Sequence, residues 1–428
     1  TLLNFDDTQG ILRAIEKCNG SGDCRKTYNA GGTMCPSYMA TRDEWNTTRA
    51  RANILREFLT NSTENNPFNH KEIYSILDQC LSCKGCKNEC PSNVDMAKFK
   101  AEFLHQWYKN HRIPIRTWLI ANISKINAVG SVAPWLFNSI IKLRFTKWGM
   151  EKFVGISSKR DFPKINSSTL KSWVRKQKLV KKNGKQKVFL FADEFTNYTD
   201  SHIGKKAVEI LTQLNYDVQI ANISESGRAY ISKGLLMSAK RIANNNVKHL
   251  MGYISQATPL VGIEASAILS FRDEYPDLVS EDLRDFAVEI SKHCFLFEEF
   301  FMQEVKAGRI SQEQFNETKR VIKLHGHCQQ KAIASTSSTI QMLGYPLGYE
   351  VQEIPSGCCG MAGSFGFEKE HYDLSMKVGE LVLFPEIRKA NNSTTIAAVG
   401  TSCRHQIMDG TGRQSLHPIE IMWDALKK

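Results

Sequence analysis

A chain of 428 residues, 42% hydrophobic and 23% charged, is long enough for two or three ordinary domains and has a globular composition. Seven of its twelve cysteines fall in tight runs between Cys18 and Cys90, and the wide middle holds only Cys294. That distribution is metal clustering and excludes a small disulfide scaffold. The net charge of +12 is uneven, with 21 Lys or Arg against three acids between Lys98 and Lys187 and a mildly acidic remainder.

Residues 1–100 alternate cysteine loops with short helices. The spacing predicts a helix over 47–60, TTRARANILREFLT, with Ala50, Ile54, Leu55, Phe58 and Leu59 on one stripe and Thr47 or Asn46 as its cap, and a second over 69–81. Residues 101–187 read as a basic connecting region of helices broken by Pro114, Pro134 and Pro163, closed by the linker KLVKKNGKQK. Its lysines and arginines are interleaved with Trp107, Trp118, Trp135, Trp148 and Trp173. Such a zone reads either as a surface that meets anionic lipid or as a solvated helical face. Its most apolar stretch, Trp118 to Ile141, is interrupted by Asn122, Lys125, Asn127, Pro134 and Asn138 and is not transmembrane. No nucleic-acid motif accompanies the charge. No secretion signal precedes the first motif, so the expected location is cytoplasmic, with peripheral contact at the inner face of the cell membrane under the lipid reading. The start at Thr1 rather than Met reads as a piece of something longer.

From Val188 short apolar strands alternate with helices, which predicts a parallel α/β sheet. An internal repeat is visible. With Phe195 set on Cys328, LNYDVQIANISESG falls on LGYEVQEIPSGCCG without gaps, and Val261-Gly262 and Ser266-Ala267 reach Val399-Gly400 and Ser402-Cys403 with a two-residue gap. The repeats are expected over 188–290 and 291–428. Cys328, Cys358, Cys359 and Cys403 then correspond to Phe195, Glu225, Ser226 and Ala267, so only the second copy can be a cysteine-ligated site and the first is expected to be a packing partner.

Cys80-Leu-Ser-Cys83-Lys-Gly-Cys86-Lys-Asn-Glu-Cys90-Pro91 is the C-x2-C-x2-C-x3-C-P run of 4Fe-4S ferredoxins, in which the fourth cysteine serves the other cluster of a pair. A zinc site needs two C-x2-C pairs separated by a longer insert. The exchange predicts an upstream Cys-Pro, and Cys35-Pro36 supplies it. One cluster is therefore assigned to Cys80, Cys83, Cys86 and Cys35. Cys18, Cys24 and Cys90 remain for a second, which is three-iron or takes a non-cysteine ligand. Buried structural thiols are the alternative for Cys18 and Cys24, and Gly20 and Gly22 favour a loop whose amides approach a cluster. Cys328, Cys358, Cys359 and Cys403 stand at three expected strand ends, where α/β proteins place their sites, and read as a third metal or redox site. His327 reads as a supporting group beside them and His325 as the weaker candidate. Cys294 in KHCFLF reads as a core residue.

CNGSGDCRK, GGTMCPSYMATRDE, TTRARA, the CLSCKGCKNECP run, LHGHCQQKA, IPSGCCGMAGSFGFEKEHYDLSMKVGE and LHPIE together resemble the C-terminal iron-sulfur half of FAD-linked oxidases of D-2-hydroxy acids. These include D-lactate, D-2-hydroxyglutarate and glycolate dehydrogenases, with relatives of the glycolate oxidase iron-sulfur subunit and the cysteine-rich (CCG) domain of heterodisulfide reductase. The resemblance covers nearly the whole chain. It implies an α-helical ferredoxin-type N-terminal domain followed by an α/β domain of two CCG-like repeats. It also implies FAD in a fused or partner dehydrogenase domain that takes hydride from the alcohol carbon, and electrons relayed through this chain to a quinone or other acceptor. Where relatives carry CCGR in the first repeat this chain has Glu225-Ser226-Gly227-Arg228, and Ala267 replaces a further cysteine, so a first CCG cluster is not expected. No G-x-G-x-x-G element follows a strand, and no residue reads as a hydride acceptor or substrate base. Two other readings stand beside this one: a stand-alone heterodisulfide-reductase-like or anchor-type subunit, and a zinc-bound structural cysteine module.

Overall fold

Short helices interleaved with the cysteine loops build the N-terminal part of the computed structural model, which describes residues 1–177 and 186–427. The helix Thr48–Asn61 starts where expected, because Thr47 Oγ1 accepts from Ala50 N at 3.0 Å. Its buried face differs from the predicted stripe and runs through Arg51, Ala52 and Leu55. Arg51 turns inward because its guanidinium meets the carbonyls of Asn46 (2.8 Å) and Ile76 (3.0 Å) and the Ser37 hydroxyl (3.1 Å). Hydrophobic periodicity scores that position as polar and cannot see those acceptors. The helix predicted over 69–81 is Lys71–Asp78, followed by Gly85–Glu89 and Met96–Trp107.

The basic region folds as Ile115–Ala121, Ile123–Gly130, Pro134–Lys142 and Arg144–Gly149. Pro114 caps the first and Pro134 opens the third, as fixed-φ residues without an N–H do. Positions 178–185 of the predicted linker lie outside the described residues. No helix among the described residues is long and apolar enough to cross a membrane.

Two small parallel sheets follow. The first contains β1 (Lys187–Phe191), β2 (Asp217–Ile220), β3 (Leu260–Gly262) and β4 (Cys294–Leu296) in the order β2-β1-β3-β4. The second contains β5 (Arg320–His325), β6 (Tyr349–Glu353) and β7 (Thr395–Ala398) in the order β6-β5-β7. Phe189 pairs with Leu260 and Ile322 with Thr395, so Val261 corresponds in register to Ile396 rather than to Val399 as side-chain similarity implies. Strands of three or four residues carry too little pattern to fix a register unaided. Cys294 opens a strand of the first sheet, which moves the division expected at 290/291 beyond Leu296. Cys294 is fully buried, with its thiol on the Ile290 carbonyl at 3.2 Å, as a core residue should be.

Two main cores result. One joins the N-terminal helices to the first sheet through Leu55, Phe103, Phe191 and Phe271; the other joins both sheets and the helix Pro418–Ala425 through Leu190, Phe300, Leu324 and Ile419. The cysteine-rich N-terminal part is thereby bound into the α/β part rather than tethered to it.

A polar contact crosses the same junction. His371 Nε2 meets Asp78 Oδ2 at 2.8 Å, its Nδ1 meets Glu368 at 3.2 Å, and its ring stacks on Phe365 at 4.2 Å between centroids. Burial opposes its charge, and the Asp78 and Glu368 carboxylates outweigh burial and raise its affinity for a proton. The folded chain then holds this proton more tightly than the unfolded chain does. The contribution is complete below about pH 6.5, the unfolded value, and is lost as pH rises through the higher folded value. We expect the urea midpoint of the wild-type chain to fall from about pH 6.5 upward, and His371→Gln to flatten that fall; parallel pH profiles for the two would show that this contact does not couple the parts.

Candidate metal centre

A loop can direct several thiols to one side only if its backbone curls tightly. Ser82 (φ 51°) and Lys84 (φ 62°) adopt left-handed conformations between Cys80, Cys83 and Cys86, and Cys35 itself sits at φ 57°. Each costs a non-glycine residue about 1–2 kcal/mol, so the surrounding contacts must impose them. Lys84 is buried and paired with Asp273 and with Glu274 (2.6 Å), which anchors the loop to the first sheet's helices. Glu89 accepts from the backbone N–H of Thr33 (2.5 Å) and Met34 (3.1 Å) and pairs with Lys26, pinning the upstream cysteine loop to the helix Gly85–Glu89.

The loops bring thiols together. Cys80 and Cys86 lie close enough to Cys83 to push its thiol up alongside the main effect of burial, and burial, with Asp95 nearby, pushes Cys86 up to about 12. Cys35 hydrogen-bonds Cys24, which lowers Cys24 to about 6 and raises Cys35. Cys35 also accepts from Thr48 N at 3.0 Å and meets the Thr48 hydroxyl at 2.8 Å. Cys35, assigned from sequence to the Cys80/Cys83/Cys86 set, thus touches Cys24 of the other set and also feels the charge of Cys86. Cys18 and Cys90 are half-buried against the first core; Cys18 lies near Arg49 with Cys24. Cys90 follows one turn after Cys86, its N–H on the Cys86 carbonyl at 3.1 Å.

The second group sits beyond the C-terminal ends of the second sheet. The middle strand β5 leads to Cys328, β6 to Cys358 and Cys359, and β7 to Cys403, so the parallel order forces the three loops to one edge. All four thiols are buried. Cys358 bonds both Cys328 and Cys359, which lowers Cys328 to about 7, lowers Cys359 well below the ordinary thiol range and raises Cys358; Cys359 in turn raises Cys403. Thiolate character therefore concentrates on Cys328 and Cys359. His325, Cys359 and Cys403 bring ligand atoms within 4.8 Å of one another. His325 Nδ1 is held by Ser356 Oγ at 2.7 Å, and the imidazole also interacts with the Cys359 thiol, which it helps to lower. His327, the stronger candidate in sequence, faces Glu264 at 3.9 Å, and Glu264 also accepts from Thr401 N at 2.9 Å. The sequence held a signal for His325: it is the last residue of the strand, whereas His327 stands two residues further along the loop.

The donor set suits an iron-sulfur group or another thiophilic metal: clustered soft thiols, with the imidazoles of His325 and His327 beside the second group. Lys100 Nζ donates to the Cys80 carbonyl at 2.7 Å and places positive charge beside thiolates. The two groups adjoin. Cys83, Cys328 and Cys358 pack in one buried cluster with Leu81 and Phe365, and Asn88 Nδ2 reaches the Lys331 carbonyl at 3.2 Å. The corresponding edge of the first sheet carries acids in place of thiols. Burial and Glu194 push Asp193 up to about 8, burial and Glu194 push Glu225 up to about 7, and Ser226 donates to Glu194 through N (3.0 Å) and Oγ (2.6 Å).

Residues 14–94 match the family model described as a 4Fe-4S dicluster domain, and this part of the chain is an iron-sulfur electron-transfer domain. D-2-hydroxyglutarate dehydrogenases of Pantoea ananatis and Escherichia coli are each 25% identical over 97% of this chain and 44% of their own length. The chain therefore spans less than half the length of these relatives. One of the subunits of the anaerobic glycerol-3-phosphate dehydrogenase of Escherichia coli is 25% identical over 74% of the chain and 79% of its own length. No solved structure matches.

Gly360 follows the paired cysteines at φ 94°, and a Cβ there would collide with the Ser375 carbonyl. We expect Gly360→Ala to destabilise the chain by about 1–3 kcal/mol in urea unfolding and to loosen the Cys358–Cys359 turn. Gly308→Ala, at φ 70° with nothing within 4 Å, should cost only about 1 kcal/mol. Equal effects would show that crowding at Gly360 does not hold the turn.

Proposed function

We propose that this chain is the iron-sulfur electron-transfer portion of an FAD-dependent dehydrogenase of D-2-hydroxy acids, passing electrons from flavin to a quinone or other acceptor. The observation that carries this reading is that Cys83, Cys328 and Cys358 belong to one buried cluster, with Cys328 near enough to raise the Cys83 thiol. Two thiol groups that share one buried cluster suit single-electron traffic better than independent structural sites. In this reading Cys80, Cys83, Cys86 and Cys35 hold one 4Fe-4S cluster, and Cys18, Cys24 and Cys90 belong to a second. Cys328, Cys358, Cys359 and Cys403, with His325 beside them, form a third site. Such clusters supply one-electron steps that divide a flavin's electron pair. The chain's own residues bury the thiols, curl their loops and set positive charge near them.

The two sheets, with strand order β2-β1-β3 repeated as β6-β5-β7, support reading the α/β part as two CCG-like repeats of which the first has no cysteine at the four corresponding positions. The flavin domain is then a fused or partner polypeptide, and catalysis on the CH–OH group resides there. A stand-alone subunit is the second reading. It is favoured by the similarity to the separate glycerol-3-phosphate dehydrogenase polypeptide, of which this chain matches 79%. Either assignment is consistent with a cytoplasmic protein in peripheral contact with the inner face of the cell membrane.

Anaerobic purification with iron, sulfide and zinc analysis and EPR before and after dithionite tests the relay. About eight irons per chain are expected for two cubane-type clusters and about twelve if the third site is filled. Cys83→Ala should remove about four of them and one reducible signal. Zinc without sulfide would overturn the reading and make the chain a structural cysteine module.

A further inference from the structure

The basic region carries an apolar surface that no other part of the chain covers among the described residues. The helices Pro134–Lys142 and Arg144–Gly149 and the turn 150–154 bury no residue at all. Their large apolar side chains point outward, with Phe145 78%, Trp135 73% and Phe153 70% exposed, and Val132 just before them 86% exposed. These residues form a patch and are not scattered singly. Phe145 stacks on Trp148 at 5.7 Å, Trp148 meets Phe153 edge-on at 5.9 Å, and Lys152 Nζ stands 4.9 Å from the Trp148 ring centroid.

Charge decides what covers such a patch. Between Trp118 and Phe153 the cations Lys125, Lys142, Arg144, Lys147 and Lys152 face the single carboxylate Glu151. Lys147 is paired with Asp161 at 2.6 Å. Lys142, Arg144 and Lys152 are exposed and form no ion pair among the described residues. Lys142 is even crowded by Lys164, whose positive charge makes it easier to deprotonate. A protein interface favours a shaped, lysine-poor surface. Here the apolar patch stands out from short helices and turns, which a fluid lipid interface accepts without matching shape, and basic residues ring it.

We propose that the segment 132–153 is a monotopic docking surface for an anionic phospholipid bilayer. Phe145, Trp148 and Phe153 enter the boundary between headgroups and acyl chains, and Lys142, Arg144 and Lys152 meet lipid phosphates. This proposal rests on the surface alone and stands or falls separately from the assignment of the clusters.

Flotation of the full chain with vesicles of phosphatidylcholine and phosphatidylglycerol, against phosphatidylcholine alone, tests it. Binding to the anionic vesicles that weakens with added salt is expected, because lipid attraction to each basic residue is screened. The triple variant K142A/R144A/K152A should weaken that binding about a hundredfold, about fivefold per cation. F145E/F153E should also lose binding while keeping the wild-type circular dichroism, since neither side chain is buried. Equal flotation on both vesicles, none at low salt, or unchanged binding by either variant would overturn the proposal. So would F145E/F153E blocking association with a flavin-bearing dehydrogenase polypeptide while still floating normally, which would make the patch a protein interface.

Discussion

Buried sulfur sets the terms for this molecule. Cys24, Cys35, Cys83, Cys86, Cys328, Cys358, Cys359 and Cys403 are all out of water, and a thiol moved into a low dielectric resists ionisation. Burial alone accounts for most of the rise at Cys86 and at the isolated Cys294, each pushed up to about 12. Where thiols touch, the outcome reverses: Cys24, Cys328 and Cys359 are drawn toward thiolate because a neighbouring thiol donates to them. A metal centre completes this tendency, since a bound cation compensates the charge that burial penalises. Curled loops, the buried Lys84 and Lys100 beside Cys80 are then parts of one arrangement that makes dense sulfur tolerable.

That arrangement explains why the two cysteine regions are packed together and not strung apart. The upstream loop is clamped by Glu89, the downstream loop by Lys84 on Asp273 and Glu274, and the Cys358 turn lies directly over Gly32 and Thr33. A side chain at Gly357 would fall 2.6 Å from the Gly32 carbonyl, so the close approach of the two backbones requires glycine there. Each clamp uses residues from a part of the chain remote from the one it holds, and the N-terminal helices accordingly share a core with the first sheet.

Much of this was readable in the sequence because cysteine spacing and strand-helix alternation are local signals. The Thr47 cap, the helix it starts and the strand ends carrying Cys328, Cys358 and Cys403 all depend on a few adjacent residues. What escaped depends on tertiary partners. Arg51 is buried because three acceptors from separate segments surround it. His325 rather than His327 turns toward Cys359 and Cys403 because Ser356 holds its other nitrogen. Cys35 lies against Cys24, a contact that motif spacing, which counts along the chain, does not report. The three-residue slip between Val261 and Val399 has the same origin: sheet register is set by hydrogen bonds between strands, which side-chain similarity does not register.

The first sheet carries a different set of groups at the matching edge. Its strand ends keep the geometry of a convergence point, and Asp193, Glu194, Glu225 and Glu264 occupy it, all buried. Burying a carboxylate is costly, and the upward shifts of Asp193, Glu194 and Glu225 register that cost. Glu264 spans the two edges, accepting from Thr401 of the second sheet and facing His327. The acid-bearing edge is thereby hydrogen-bonded to the thiol-bearing one, and Asp200, which accepts from the Thr401 hydroxyl and from Arg404, adds a second link between them.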